Sequence, residues 1–338
     1  MSSVRTDVAI IGAGPVGLFA VFECGMLKMR CHVIDALDAI GGQCAALYPE
    51  KPIYDIPGHP RIDAIDLIRR LEEQAQPFAP VFHLGQRVEG LARVGDDWIL
   101  TTSRGTTIVA RAVIVAAGVG AFGPNRPPIA RLEEFERGCV HYLVARREDF
   151  RGKRLVIAGG GDSALDWTIS LAEIAAHIDV VHRRDKFRAA PDTVEKVKAL
   201  AAAGRIALVT PYQLDALEGE GGVLGAVTVK DLDGGTRRLP ADHLLAFFGL
   251  SQNLGPIAQW GLALERNLIT VDPATCATSL DGIHAIGDIA TYPGKLKLIL
   301  SGFAEAAAAA HAIHGRVHPG TALHFEYSTS KGVAGFAA

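Results

Sequence analysis

The chain has 338 residues, 49% of them hydrophobic, with 37 glycines and a formal net charge of −3. That length exceeds one ordinary domain and supports two, and the near-neutral balance offers no electrostatic reason to bind nucleic acid or a membrane surface. No apolar run approaches the ~20 residues of a membrane span, and Arg5 and Asp7 leave no room for a signal peptide before the first apolar segment, so a cytoplasmic location is expected.

Residues 4–11 form an apolar run that predicts a buried parallel strand, and Gly12-Ala13-Gly14-Pro15-Val16-Gly17 follows it. Gly12, Gly14 and Gly17 permit a tight turn, close approach of a pyrophosphate and close packing of a helix. Pro15 opens that helix, whose first N–H groups and dipole favour an anion. Cys31–Ile34 reads as the next strand and ends at Asp35, about 20 residues beyond the first glycine, where a carboxylate accepts hydrogen bonds from an adenosine ribose with a free 2′-hydroxyl. FAD and NAD both meet that requirement; NADP does not.

Further along, residues 62–76 carry a helical pattern, and 88–94 and 98–102 read as strands. The apolar run 112–117 ends in a glycine and proline cluster over 118–124, which marks a crossing between domains. Residues 154–158 then form a second buried strand, followed by Gly159-Gly160-Gly161-Asp162-Ser163-Ala164, a fingerprint of the same kind with a small residue in the third glycine's place. One such motif is weak evidence, but two in strand–turn–helix context imply two dinucleotides in one chain, with electrons passing between them. After the next strand, 178–181, the acidic residue is replaced by His182-Arg183-Arg184, then Lys186 and Arg188. Guanidinium forks grip phosphate bidentately, so this copy is expected to take the 2′-phosphate of NADP(H), with Gly159, Gly161, Asp162, Ser163, His182, Arg183, Arg184 and Arg188 as its binding residues.

A helix over 193–203, a hairpin around Gly221-Gly222 and a second crossing over 249–253 complete this unit. Residues 283–315 read as a strand, a Gly287-Asp288 turn and a long alanine-rich helix that returns to the first domain. The expected architecture is α/β, with two Rossmann-like three-layer nucleotide-binding domains: a discontinuous one formed by 1–118 and 249–338, and 119–248 inserted within it.

The succession of the first glycine fingerprint, Gly41-Gly42-Gln43, Ala116-Ala117-Gly118, the second fingerprint, the His182 to Arg188 cluster and Gly287-Asp288 resembles the thioredoxin reductase-like pyridine nucleotide flavoproteins over nearly the whole chain. Ala46-Leu47-Tyr48-Pro49-Glu50-Lys51, the run Gly161-Asp162-Ser163-Ala164-Leu165-Asp166-Trp167 and the tail Tyr327-Ser328-Thr329-Ser330 are similar to the thioredoxin reductase-like ferredoxin–NADP⁺ reductases, which are homodimeric bacterial FAD enzymes. The resemblance implies FAD in the discontinuous domain. It assigns Asp35 and Gln43 to the adenosine and ribityl portions, Val88 to backbone contacts with adenine, Asp288 to the ribityl chain and Phe122 to the crossing beside the ring. Tyr48 and Tyr327 correspond to aromatic residues that stack on the isoalloxazine, and Ser328 and Thr329 to hydroxyls near its N5 edge. The helix expected to begin near 298–301 would aim its N-terminus at the flavin.

Cysteine spacing bears on the acceptor, because a disulfide reductase needs two exchanging thiols. The chain holds Cys24, Cys31, Cys44, Cys139 and Cys276, with no Cys-x-x-Cys. Cys44 matches the first member of a pair in glutathione reductase-like enzymes, yet the second place is Pro49; Cys139 lies near the thioredoxin reductase pair, yet Tyr142 stands three positions on. All five are read as small apolar core or surface residues. The implied activity is hydride exchange between NADP(H) and FAD N5, with single electrons passing to or from ferredoxin. The other readings are an NADPH-dependent reductase of a low-molecular-weight disulfide or quinone, a flavin redox sensor without turnover, and a hydroxylating monooxygenase. Arg61, Arg69, Arg70, Lys295 and Lys297 are candidates for a basic face that docks an acidic ferredoxin.

Overall fold

The computed structural model describes residues 3–136, 138–323 and 332–333. It resolves two compact units, one of residues 1–122 with 252–338 and the other of 123–251.

In the first unit, Ser3–Ile11 is the central strand of a seven-stranded sheet. Val8, Ala9 and Ile10 are fully buried, which is why this strand reads as a continuous apolar run rather than an alternating one. It pairs in parallel with Cys31–Ile34 on one side and Thr107–Val115 on the other, and Val81–His83 extends the sheet beyond Cys31–Ile34. The strand Thr107–Val115 serves two partners. Residues 107–110 pair antiparallel with Asp97–Thr102, which continues into Val88–Val94, while 113–115 pair in parallel with Ile283–Ala285. The antiparallel meander thus extends the same sheet, and the chain returns after residue 252 to add the strand Ile283–Ala285 to its parallel part. The helices Pro15–Met26 and Ile299–Val317 cover one face, where Ala20, Val21, Cys24, Ala306, Ala309 and Ile313 share one hydrophobic cluster.

The second unit repeats the plan. Its five-stranded parallel sheet runs in the order Val140–His141, His243–Ala246, Arg154–Ala158, His177–Val181, Ala207–Val209. In both units the glycine-bearing strand pairs with the next strand in sequence, and a third lies outside that. An antiparallel three-stranded sheet, Gln213–Glu220, Val223–Lys230 and Thr236–Pro240, packs its apolar face into the cluster of Phe135, Val156 and Leu244.

Boundaries differ from the sequence reading in small ways. The helix expected over 62–76 is Ala64–Ala75, because Ile62–Asp63 pairs as a short strand with Pro52–Ile53 and Asp63 takes an extended N-cap conformation. The helix expected over 193–203 spans Pro191–Ala202, with proline pre-set for the first turn. Among the described residues, no helix is long and apolar enough to cross a membrane.

Candidate cofactor sites

The first site is built on the turn after Ser3–Ile11. Gly12 has φ +112, and a Cβ there would stand 2.3 Å from the Ala116 carbonyl oxygen. A Cβ at Gly17 would lie 2.0 Å from the Gly12 carbonyl oxygen, so the helix Pro15–Met26 sits against the turn at a distance only glycine allows. Gly14 is different: nothing lies within 4 Å of its Cβ position. It is the N-cap of that helix, Pro15 is in the first turn, and no side chain caps the start. The first N–H groups of the helix are therefore available to an anion over an open backbone.

Asp35 follows the second strand. Its Oδ2 accepts the Ala13 N–H at 2.6 Å and its Oδ1 the Leu37 N–H at 2.8 Å. Burial raises its pKa, and these backbone donors oppose the rise. The Asp35 carbonyl accepts from Gln86 N–H at 2.9 Å, so the loop leading to Val88 is hung from the same residue. Val88 itself is buried at the start of its strand.

Gly41 and Gly42, at φ +117 and +55, bend the chain so that Gly41 N–H donates to the Ala13 carbonyl at 2.8 Å, and the short helix Gly42–Ala46 follows. The Gly42 Cβ position lies 3.1 Å from Gly14 Cα, and Gln43 Nε2 lies 3.3 Å from the Cβ position of Gly118. The fold thus brings together Gly14, Gln43 and Gly118, which are remote in sequence.

Tyr48 is half-buried, with Cys44 Sγ 4.0 Å from its hydroxyl. Burial first, then the neighbouring Cys44 and the Asp288 charge, pushes the phenol well above its usual range, and burial holds the Cys44 thiol up at about 11. Both stay protonated at neutral pH, so Cys44 is not an activated thiol. Asp288 occupies the turn Gly287–Ile289, and its carboxylate accepts no hydrogen bond among the described residues.

A cluster behind this turn was missed in the sequence. Glu305, 5% exposed, accepts the Gly287 N–H on Oε2 at 2.7 Å and the Tyr292 O–H on Oε1 at 2.7 Å. Lys295 pairs with the same oxygen, both side chains being 5% exposed. The available signal was a lone acid within Ala304-Glu305-Ala306-Ala307-Ala308, on an otherwise apolar helix. Lys295 is accordingly withdrawn from the docking face, since burial against Glu305 removes its ammonium from solvent. Arg61 and Arg69 are exposed but paired with Asp63 and Asp66.

Tyr327, Ser328 and Thr329 lie outside the described residues. Phe122 falls in the strand Ala121–Pro124, and its side chain is outside them as well.

The second site is a cleft of about 620 Å³ within the second unit, lined by Gly159, Gly160, His182, Arg183, Arg188 and Tyr212 among others; that is an ordinary size for a small-molecule site. Gly159 has φ +157, and its Cβ position is 2.7 Å from the Phe247 carbonyl oxygen, while a Cβ on Gly160 would lie 2.3 Å from the His182 ring. Gly161 is open and caps the helix Asp162–Leu171 without a side-chain bond. Asp162 turns away from the helix start and accepts the Ala190 N–H at 2.9 Å; with Arg188 N–H donating to the Gly160 carbonyl at 2.7 Å, it pins the basic loop beside the fingerprint. Ser163 is exposed in the first turn of that helix.

His182 departs from the expectation of a cation. Its ring is stacked on Phe187 at 5.3 Å, burial and the Arg188, Arg183 and Arg184 charges lower its pKa, and it is neutral at pH 7. Its Nε2 is buried with no partner, which leaves a polar atom for a ligand to satisfy. Arg183 and Arg188 line the cleft, whereas Arg184 is exposed outside its lining. None of the three forms an ion pair among the described residues. Uncapped helix starts, open glycines, an orphaned imidazole nitrogen and free guanidinium groups fit a phosphate-bearing nucleotide in each unit.

All five cysteines are free, with Cys24, Cys31, Cys44 and Cys276 buried and Cys139 half-buried. Residues 6–312 match the model of the pyridine nucleotide-disulphide oxidoreductase family. The chain belongs to that family. Within the family it is 65% identical over 334 residues to the ferredoxin–NADP reductase of Paramagnetospirillum magneticum, covering 98% of this chain and 99% of the relative. It is 62% identical over 339 residues to the protein of that name from Rhodospirillum rubrum, covering 99% of this chain and 98% of that one. Among solved structures, the thioredoxin reductase of T. acidophilum aligns with a TM-score of 0.81 at 22% identity, over 92% of this chain and 98% of the other, a likeness of fold.

Proposed function

We propose that this chain is an FAD-dependent ferredoxin–NADP⁺ reductase, with FAD held by the first unit and NADP(H) by the second. The observation that carries the reading is the pairing of two dinucleotide cradles with five unbridged cysteines that include no Cys-x-x-Cys, in a chain 56–65% identical over nearly full length to relatives of that name. FAD bound in the first unit supplies the exchange between two-electron and one-electron chemistry.

The residues of the chain do the holding. The uncapped start of Pro15–Met26 and the open backbone at Gly14 receive the pyrophosphate, Asp35 presents its carboxylate beside the same turn for the ribose, and Gln43, Asp288 and Tyr48 supply polar and aromatic contacts toward the reactive end. Tyr327, Ser328, Thr329 and Phe122 are assigned to the flavin surroundings on sequence resemblance. In the second unit, Gly161 and the start of Asp162–Leu171 take the pyrophosphate, His182 Nε2 gains a partner, and Arg183 and Arg188, which line the cleft, meet the 2′-phosphate, with Arg184 beside them assigned to it on the sequence motif. No side chain is required to transfer a proton in hydride exchange, in keeping with the elevated Tyr48 and Cys44 values. The enzyme works as a homodimer in the cytoplasm with ferredoxin as its partner.

The test is anaerobic cytochrome c reduction by FAD-loaded protein with NADPH or NADH, with and without a [2Fe–2S] ferredoxin. Strong stimulation by ferredoxin with NADPH preference supports the reading. No stimulation, with turnover of a quinone or a small disulfide, replaces it.

A further inference from the structure

We propose that Glu305 is a positioning residue for the flavin site, acting through the Gly287–Ile289 turn on Asp288; the inference rests on the flavoenzyme reading above. Glu305 lies on the buried face of the helix Ile299–Val317, with Gly302, Ala306 and Ala309. A carboxylate there is costly unless fully hydrogen-bonded, and a buried ion pair is commonly no more stable than apolar residues filling the same volume. Core packing alone therefore does not account for it, whereas geometry does.

Three donors from the one stretch 287–295 converge on the carboxylate: the Gly287 N–H at 2.7 Å, the Tyr292 hydroxyl at 2.7 Å and the Lys295 ammonium. Gly287 sits at φ +73, a conformation that costs glycine little and other residues more, and its N–H is the anchor of the turn. The next residue, Asp288, leaves its carboxylate unbonded among the described residues and close enough to Tyr48 and Cys44 to raise both. Glu305 is itself held firmly, since the helix carrying it packs on Pro15–Met26 so closely that a Cβ at Gly302 would be 2.4 Å from Val16 Cγ2. Lys295 neutralises the buried charge, so that the carboxylate this turn leaves unbonded among the described residues is that of Asp288. The helix that bears Glu305 thus fixes the direction of Asp288 relative to Gly14 and Tyr48.

The decisive experiment is a double-mutant cycle of Glu305→Gln and Asp288→Asn, reading the FAD dissociation constant by flavin fluorescence and the midpoint potential of the bound flavin. Each single variant is expected to weaken FAD binding about tenfold, as for loss of one charged hydrogen bond. Their potentials should shift in the same direction, and the double variant should be no weaker than the worse single one. Additive losses, or wild-type affinity in Glu305→Gln, overturn the proposal while leaving the flavoenzyme reading intact. Wild-type protein that takes up no FAD overturns that reading, and the inference with it. Tyr292→Phe removes one donor and keeps the ion pair, so it decides the matter if Glu305→Gln does not fold: a smaller weakening in the same direction supports the proposal, and none refutes it.

Discussion

Gly12 and Arg183 show two ways in which a single residue constrains a proposed nucleotide site. At Gly12 the constraint is backbone: φ +112 and the Ala116 carbonyl oxygen 2.3 Å from a Cβ leave no room for any side chain. Gly12→Ala is expected to add strain of about 1–3 kcal/mol and to yield protein purified without bound flavin, with a lowered melting temperature. Absorbance at purification checks this, and a yellow, fully loaded variant contradicts it. At Arg183 the constraint is charge. A guanidinium–phosphate bond contributes about 1.5–3 kcal/mol, so Arg183→Ala with Arg184→Ala is expected to raise the KM for NADPH about tenfold or more and to leave that for NADH nearly unchanged. An unaltered NADPH preference in steady-state kinetics would remove the 2′-phosphate assignment. His182 was legible as part of the motif but not as a neutral ring, because its protonation is set by burial against Phe187, which no local pattern displays.

At the scale of elements, the two strand–turn–helix units were readable because each joins an apolar run to glycines at fixed spacing. Short strands such as Val81–His83, Pro52–Ile53 and Ala207–Val209 were not, since two or three residues carry no periodicity and exist only through their neighbours. The paired strands Val140–His141 and His243–Ala246 place His141 Nε2 3.0 Å from His243 Nδ1. Burial, then His243, lowers the His141 pKa to about 4. Because the folded value lies below the unfolded one of about 6.5, the unfolded chain takes up the proton first as pH falls. His141 therefore contributes no pH dependence above about 6.5 and destabilises the fold increasingly between about 6.5 and 4. Melting temperature measured from pH 7.5 to 4.5 is expected to fall less steeply in His141→Phe than in the wild type; parallel curves would show that the pair does not govern the acid limb.

For the whole molecule, the distribution of thiols separates this chain from disulfide reductases of the same fold. Cys44 is held at about 11 and Cys276 at about 12, both chiefly by burial, and Cys31 is raised by its hydrogen bond with Cys24 and by burial. Thiols in this state react slowly with alkylating agents. Iodoacetamide treatment of NADPH-reduced enzyme at pH 7.5 is expected to leave ferredoxin-dependent electron transfer unchanged. Loss of more than half the rate would point to a working thiol.

The sequence by itself determined that there are two glycine fingerprints in strand–turn–helix context, one followed by an acid and the other by a basic cluster after the next strand, that no dithiol motif is present, and the family to which the chain belongs. These follow from local features: glycines where backbone must approach phosphate, an acid or a set of guanidinium groups after the second strand, and cysteine spacing. Only the tertiary structure decided that Lys295 is buried rather than exposed, that Glu305 anchors the Gly287 turn, that His182 is neutral with an unpartnered nitrogen, and that Gln43, Gly14 and Gly118 share one site. Burial and side-chain geometry, which the folded packing creates and no local pattern displays, set each of these.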